Sequence, residues 1–244
     1  MPEARILVHE RQSVASTQDE LRMLAEAGAP AFTAVRAEVQ RAGRGRRGRR
    51  WDAPAGSALL VSILLRPARP PHELPVLSLA GGIAAVECAR TFGADARLSW
   101  PNDVVCEDRK LGGVLAELGT SGSVLLGIGM NLSSQASDLP PADRLAPSSL
   151  LLETGSAPSA SVALITLLDA LRPLAAAFDA DGPPAIAARA RRLDALMGTD
   201  VELRLASGAV VHGRAAGIAD DGSILVRDAA GVTPYASGEV VRLR

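Results

Sequence analysis

Lys110 is the only lysine among 26 basic side chains, all the others being arginine. On a solvated surface the two cations act alike, so one exceptional lysine brings little. A compact ammonium on a mobile stem differs from a planar guanidinium where it must follow oxygens that change during a reaction. Six arginines and three glycines fall within residues 41–51. Glycine lets the main chain approach a ligand closely, and guanidinium groups offer paired donors to carboxylate or phosphate oxygens. The segment therefore reads as the cover of a small anion, with Trp51 at its end as a flat face for a purine.

Two further segments carry unusual residues. Ser99-Trp100-Pro101-Asn102-Asp103 precedes Asp108-Arg109-Lys110-Leu111-Gly112-Gly113. Asp103 is a candidate for sharing a magnesium ion, which takes carboxylate and phosphate oxygens; an ordinary hairpin with a polar tip is the other reading. Gly127-Ile128-Gly129-Met130-Asn131 places glycines inside a predicted strand. They weaken it unless another backbone or a ligand must come close, a bulge being the alternative. The two asparagines and two tryptophans of the chain all lie with Lys110 between residues 51 and 131.

The elements that must position these groups follow from periodicity and turn signals. Residues 5–8 read as a strand, and Ser16-Thr17-Gln18-Asp19-Glu20 gives overlapping capping boxes for a helix that Gly28 and Pro30 stop. Strands are predicted at 31–39 and 58–65 on either side of the arginine loop, then a helix over 73–92. Short strands follow at 97–100 and 104–106, then longer ones at 110–118 and 123–130, which bring Lys110 and Asn131 into one neighbourhood. Residues 133–158, rich in Ser, Pro and Ala, read as a long loop. Helices are expected at 161–178 and 183–196. After Met197 five short strands separated by Ser207-Gly208, Asp221-Gly222 and Gly231 point to a small β-barrel.

Composition narrows the function classes. A net charge of −1 is not that of a protein that coats nucleic acid. The arginine run alone also fits a flexible nucleic-acid arm; against this, it lies between two predicted strands and lacks interleaved aromatics. Cys88 and Cys106 have no CxxC spacing, which suits a reducing compartment, and His9, His72 and His212 form no ligand cluster. Charges interrupt the N-terminus, and no apolar run approaches the roughly 18 residues of a membrane helix. The expectation is a soluble cytoplasmic protein with no membrane partner.

Ser16-Thr17, the GRGRRGR loop, the WPND turn, the RKLGG strand and the GIGMN strand together resemble the catalytic domain of biotin protein ligases. The likeness extends through the terminal strands. It implies an α+β fold: a mixed central sheet flanked by helices, of the class II synthetase-like biotin/lipoate ligase type, over residues 1–196, with an SH3-like β-barrel over 197–244. It implies that ATP and biotin give biotinyl-5'-AMP, whose acyl group passes to a lysine of the biotin carboxyl carrier protein of a carboxylase such as acetyl-CoA carboxylase. By motif position, Ser16, Thr17, Gln18, Gln40, Gly43, Arg44, Gly45, Arg46, Lys110 and Gly113 should serve biotin. Arg46, Arg49, Trp51, Lys110 and Asn131 should serve ATP, with Asp103 as a ligand of Mg2+.

Lys110, and second to it Arg46, is the implied catalytic residue, acting by charge with no general base. Two departures stand out: Gln18 where the family has Asn, and Ser99 where Lys is common. Some members carry an N-terminal DNA-binding domain; here the catalytic pattern starts within twenty residues, which implies the form without operator binding. Homodimerisation stays open. A lipoate ligase is the nearest rival, which the GRGRRGR and WPND combination disfavours.

Overall fold

The octapeptide ALLVSILL has no charged residue, and all eight of its residues are buried. A strand covered on both faces belongs in the middle of a sheet, and this one does. The computed structural model describes residues 6–141 and 145–243. Its large sheet is built from β1 (Leu7–Val14), β2 (Thr33–Gln40), β3 (Ala58–Leu65), β4 (Ala96–Ser99), β5 (Asp103–Cys106), β6 (Arg109–Leu118), β7 (Val124–Asn131) and the short β8 (Ala146–Pro147). The strand order is β1-β2-β3-β7-β6-β5-β4, with β8 on β6. The β1–β2 and β6–β8 pairs are parallel and the rest antiparallel, the mixed sheet expected.

Side-chain alternation along β3 divides the cover. Leu64 turns towards Leu21 and Ala25 of α1 (Thr17–Glu26), while Ile63 and Leu65 join the main core on the other face. That core is filled by α2 (Leu77–Thr91), α4 (Ala160–Asp181) and α5 (Pro183–Leu193), with the short α3 (Leu150–Thr154) at its margin. By length and composition two helices, Pro71–Thr91 and Ala160–Asp181, could cross a membrane. The expectation of no such run is thereby corrected; their leucines instead pack into the main core.

Three elements differ from the sequence reading. The first strand runs on to Val14, because pairing in register with β2 stabilises the polar stretch HERQ that has no strand pattern of its own; Arg5 lies outside the described residues. The helix expected from residue 73 is divided into a 3-10 turn, Pro71–Val76, and α2, since Pro75 has no N–H for a continuous α-helical ladder. The loop expected over 133–158 contains β8 and α3: Ser149 caps α3 by accepting from the Leu152 amide, and Leu150 is buried.

The C-terminal region is a five-stranded antiparallel sheet made from β9 (Asp200–Arg204), β10 (Val210–Ile218), β11 (Ile224–Asp228), β12 (Gly231–Tyr235) and β13 (Glu239–Arg242), in the order β12-β11-β10-β9-β13. This is the strand complement of an SH3-like barrel. Its core residues Val201, Leu203, Ile224 and Val240 join the main core continuously. Polar struts cross the same junction: Trp100 Nε1 donates to the Gly222 carbonyl at 2.9 Å, and Arg242 pairs with Asp108 at 2.9 Å.

Candidate active site

Ser62 is the one polar residue of β3 and is fully buried. A buried hydroxyl must be hydrogen-bonded, and this one is held on two sides. Ser62 Oγ lies 2.8 Å from Thr17 Oγ1 and donates to Gln18 Oε1 at 2.9 Å. Thr17 Oγ1 also meets Gln40 Oε1 at 3.0 Å. Backbone groups fix both amides: Gln40 Oε1 accepts the Thr17 N–H at 2.8 Å, and Gln18 Nε2 donates to the carbonyls of Leu115 and Leu125. Three oxygen–oxygen contacts in this row share two hydroxyl protons. The row therefore faces a ligand chiefly as an acceptor.

Glycines allow the row to reach the sheet. A methyl group on Gly127 would stand 2.3 Å from Gln18 Oε1, and one on Gly129 would stand 2.5 Å from the Trp51 ring. The close approach in GIGMN is thus made by two side chains of the site, where a backbone or a ligand was expected. Trp51 Nε1 is buried and has no hydrogen-bond partner among the described residues, and Lys110 Nζ sits 5.7 Å from the ring centroid.

The WPND turn joins the loop to the lysine. Asn102 Nδ2 donates to the Val114 carbonyl, pinning the turn on β6, and its Oδ1 accepts from Arg46 at 3.0 Å. The next residue, Asp103, almost wholly buried, takes Lys110 Nζ at 2.6 Å. Two consecutive side chains therefore hold the two cations that the sequence singled out. The remaining loop arginines reach elsewhere: Arg44 pairs with Asp19 at 2.8 Å, while Arg47 and Arg49 both bind Glu239 of β13.

One cavity is lined by Ser16, Thr17, Gln18, Gln40, Arg44, Gly45, Arg46, Lys110 and Gly113, together with Ser62, Asn102 and Glu239. Gly43 does not line it; a Cβ there would meet the Trp51 carbonyl at 2.3 Å, so that glycine shapes the loop. A second cavity is bounded by Asn131, Leu145 and Pro147. Arg49, Arg50, Trp51 and Lys110 border both cavities. Of the residues expected for ATP, Asn131 borders the second cavity alone, Arg49, Trp51 and Lys110 border both, and Arg46 lines only the first, with the rest of the residues expected for biotin apart from Gly43.

Ser62, Asn102 and Glu239 were not among the expected site residues. For Asn102 its rarity was a usable signal. Ser62 is hidden in an apolar strand, and Glu239 comes from a distant part of the chain. Neither cysteine takes part: burial pushes the Cys88 thiol up to about 12 and, as the main cause, the Cys106 thiol to about 11.

Comparison with known proteins agrees with this arrangement. The biotin/lipoate A/B protein ligase family matches residues 9–133, and the biotin protein ligase C-terminal domain matches residues 197–243. The bifunctional ligase/repressor BirA of Escherichia coli is 32% identical over 215 residues, which are 84% of this chain and 64% of BirA. The chain thus spans slightly less than two thirds of that relative. The biotin–[acetyl-CoA-carboxylase] ligase of Mycobacterium tuberculosis is 32% identical over 218 residues, 85% of this chain and 78% of the relative. A solved biotin protein ligase from Aquifex aeolicus, in complex with biotin and ATP, superimposes with a TM-score of 0.85 at 26% identity, covering 98% of this chain and 99% of its own. With both parts of the chain matched in order and the sheet, loop and lysine in place, the chain belongs to the biotin protein ligase family.

Proposed function

We propose that this protein activates biotin with ATP and transfers it to a lysine of a biotin carboxyl carrier protein. The observation that carries the reading is the position of Lys110, in the wall common to a cavity floored by an uncharged, acceptor-rich row and a second cavity bounded by Trp51 and Asn131. A ureido group offers N–H donors to the row Gln40–Thr17–Ser62–Gln18, and the Trp51 ring, which borders both cavities, offers a flat face to a purine. The biotin carboxylate then meets the α-phosphate beside Lys110.

In the first step a carboxylate oxygen attacks the α-phosphorus and the bond to pyrophosphate breaks. Lys110 and Arg46 offset the negative charge that gathers there, a preorganised electrostatic contribution. In the second step the acceptor amine attacks the acyl carbon, AMP leaves, and the amine proton passes to solvent. Among the described residues no group of three or more His, Cys, Asp or Glu converges to hold a metal. Magnesium would be held mainly by phosphate oxygens, with Asp103, beside Lys110, as the candidate protein carboxylate. Magnesium supplies neutralisation of phosphate charge when bound.

The division into a catalytic unit over 1–196 and a barrel over 197–244 belongs to the same proposal. So does a cytoplasmic setting, which the two free, buried thiols support. The experiment is exchange of labelled pyrophosphate into ATP. Biotin should support it; exchange supported by lipoate or octanoate and not by biotin overturns the reading.

A further inference from the structure

Glu153 of α3 lies outside both cavities, in the stretch that reads from sequence as loop, yet its side chain is only 8% exposed. Arg109 grips it through two hydrogen bonds, Nε to Oε1 at 2.8 Å and Nη2 to Oε2 at 2.9 Å, the fork-to-fork geometry of the strongest side-chain pairs. The Ser148 hydroxyl also donates to Glu153. Ser148 is held in turn by its backbone: its N–H donates to the Lys110 carbonyl at 2.8 Å, and its carbonyl accepts from Asn131 Nδ2 at 2.8 Å.

These bonds enclose β8, whose Ala146 and Pro147 pair in register with Arg109 and Lys110. Pro147 is a wall of the second cavity. Two residues cannot form a stable strand by themselves, so β8 depends on the groups that anchor it. Arg109 and Lys110 are neighbours on β6: one clamps Glu153 while the other's main chain receives Ser148. Asn131, expected from sequence to bind the nucleotide, uses its amide on this same segment.

We infer that Glu153, gripped by Arg109 and Ser148, is a positioning residue for the nucleotide: it holds the segment from β8 to Ser148 as a wall of the second cavity beside Lys110. This rests on the proposed function, in which that cavity takes the nucleotide. Arg109 hydrogen bonds hold the Glu153 carboxyl below the usual carboxylate range against the opposing effect of burial, in keeping with a clamp that is charged at neutral pH. The effect should be selective, because the uncharged row of the first cavity is seated on α1, β2 and β3, reaches β6 only at the Leu115 carbonyl, and does not touch the clamp.

The test is equilibrium binding of ATP and, separately, of biotin to wild type, Glu153→Gln and Arg109→Ala, with exchange activity measured alongside. Loss of a charged hydrogen-bonded partner should weaken ATP binding about tenfold in either variant, leaving biotin binding within about twofold. The double variant should be no worse than the worse single one, since both remove the same interaction. Arg109 is half exposed, so its variant carries the test if Glu153→Gln does not fold. Unchanged ATP binding, or equal weakening of ATP and biotin, overturns the inference. Wild type that exchanges with biotin while the variants bind ATP normally sinks the clamp alone. Wild type that binds no ATP sinks both the clamp and the reading of the cavity.

Discussion

The floor of the first cavity and the loop above it solve recognition by opposite means. The floor uses uncharged groups, Thr17, Gln18 and Ser62, at 3%, 3% and 0% exposure, each tied to the sheet or to a neighbour. The loop uses guanidinium groups, with the Arg44, Arg47 and Arg49 side chains 38%, 37% and 45% exposed and paired with carboxylates of other elements. The difference follows from desolvation. A hydroxyl or amide can be buried once hydrogen-bonded, whereas a buried charge costs several kcal/mol unless its partners compensate it fully. Fixed shape is therefore placed in the sheet, and charge is kept at the rim, where phosphate oxygens can replace carboxylates. Lys110 sits between the two, half-buried and paired with Asp103.

The largest effect should come at that division. Lys110→Arg preserves charge but replaces a compact ammonium by a planar fork, and adenylate formation should fall by about 10²–10³-fold with the melting temperature unchanged. Wild-type rates in that variant would remove the lysine from the mechanism. Next is Ser62→Ala, which strands Gln18 Oε1 and takes a proton from the row. Biotin affinity should drop by about ten- to a hundredfold, with the rate at saturating biotin little changed; a lower rate with normal affinity would contradict the division of labour.

Glu239→Gln probes the rim. It weakens the tie of Arg47 and Arg49 to β13, and because both arginines are substantially exposed the loss is about 0.2–1 kcal/mol. The loop of the unliganded protein should then be cut a few times faster by trypsin, and added ATP should erase the difference. Equal cleavage of both proteins would mean that the barrel does not hold the loop.

The smallest effect is on acid stability. Glu153 has a folded-state pKa below its unfolded value of about 4.3, so its stabilising contribution is complete above that pH and is lost as pH falls through the lower folded value. The melting-temperature gap between wild type and Glu153→Gln should be constant at neutral pH and close in acid. A gap that widens in acid would reverse the assigned sign.

Legibility from sequence divides along similar lines. The arginine loop, WPND, Lys110 and the strands that bring it near Asn131 were readable because each depends on local residue types: glycine where other groups approach, and a turn where Pro and Asn-Asp occur. The lone lysine and paired asparagines announced themselves by rarity. What escaped depends on distant partners. Ser62 sits in ALLVSILL as one hydroxyl in an apolar strand, and its meaning comes from Thr17 and Gln18 arriving on α1. Glu239 is one carboxylate among many until β13 brings it to Arg47 and Arg49. β8 has no propensity of its own and forms only because β6 offers an edge. Trp100 was conspicuous, yet its indole proves to be a strut to Gly222 of the terminal sheet.

On this division the floor supplies affinity and Lys110 supplies rate. The most direct test is biotinyl-adenylate formation followed across a biotin titration in Ser62→Ala and Lys110→Arg side by side. The account predicts a crossed result: Ser62→Ala needs more biotin but reaches nearly the wild-type rate, while Lys110→Arg saturates at nearly the wild-type concentration with its rate lost. Two variants that lose affinity and rate in the same proportion would contradict it.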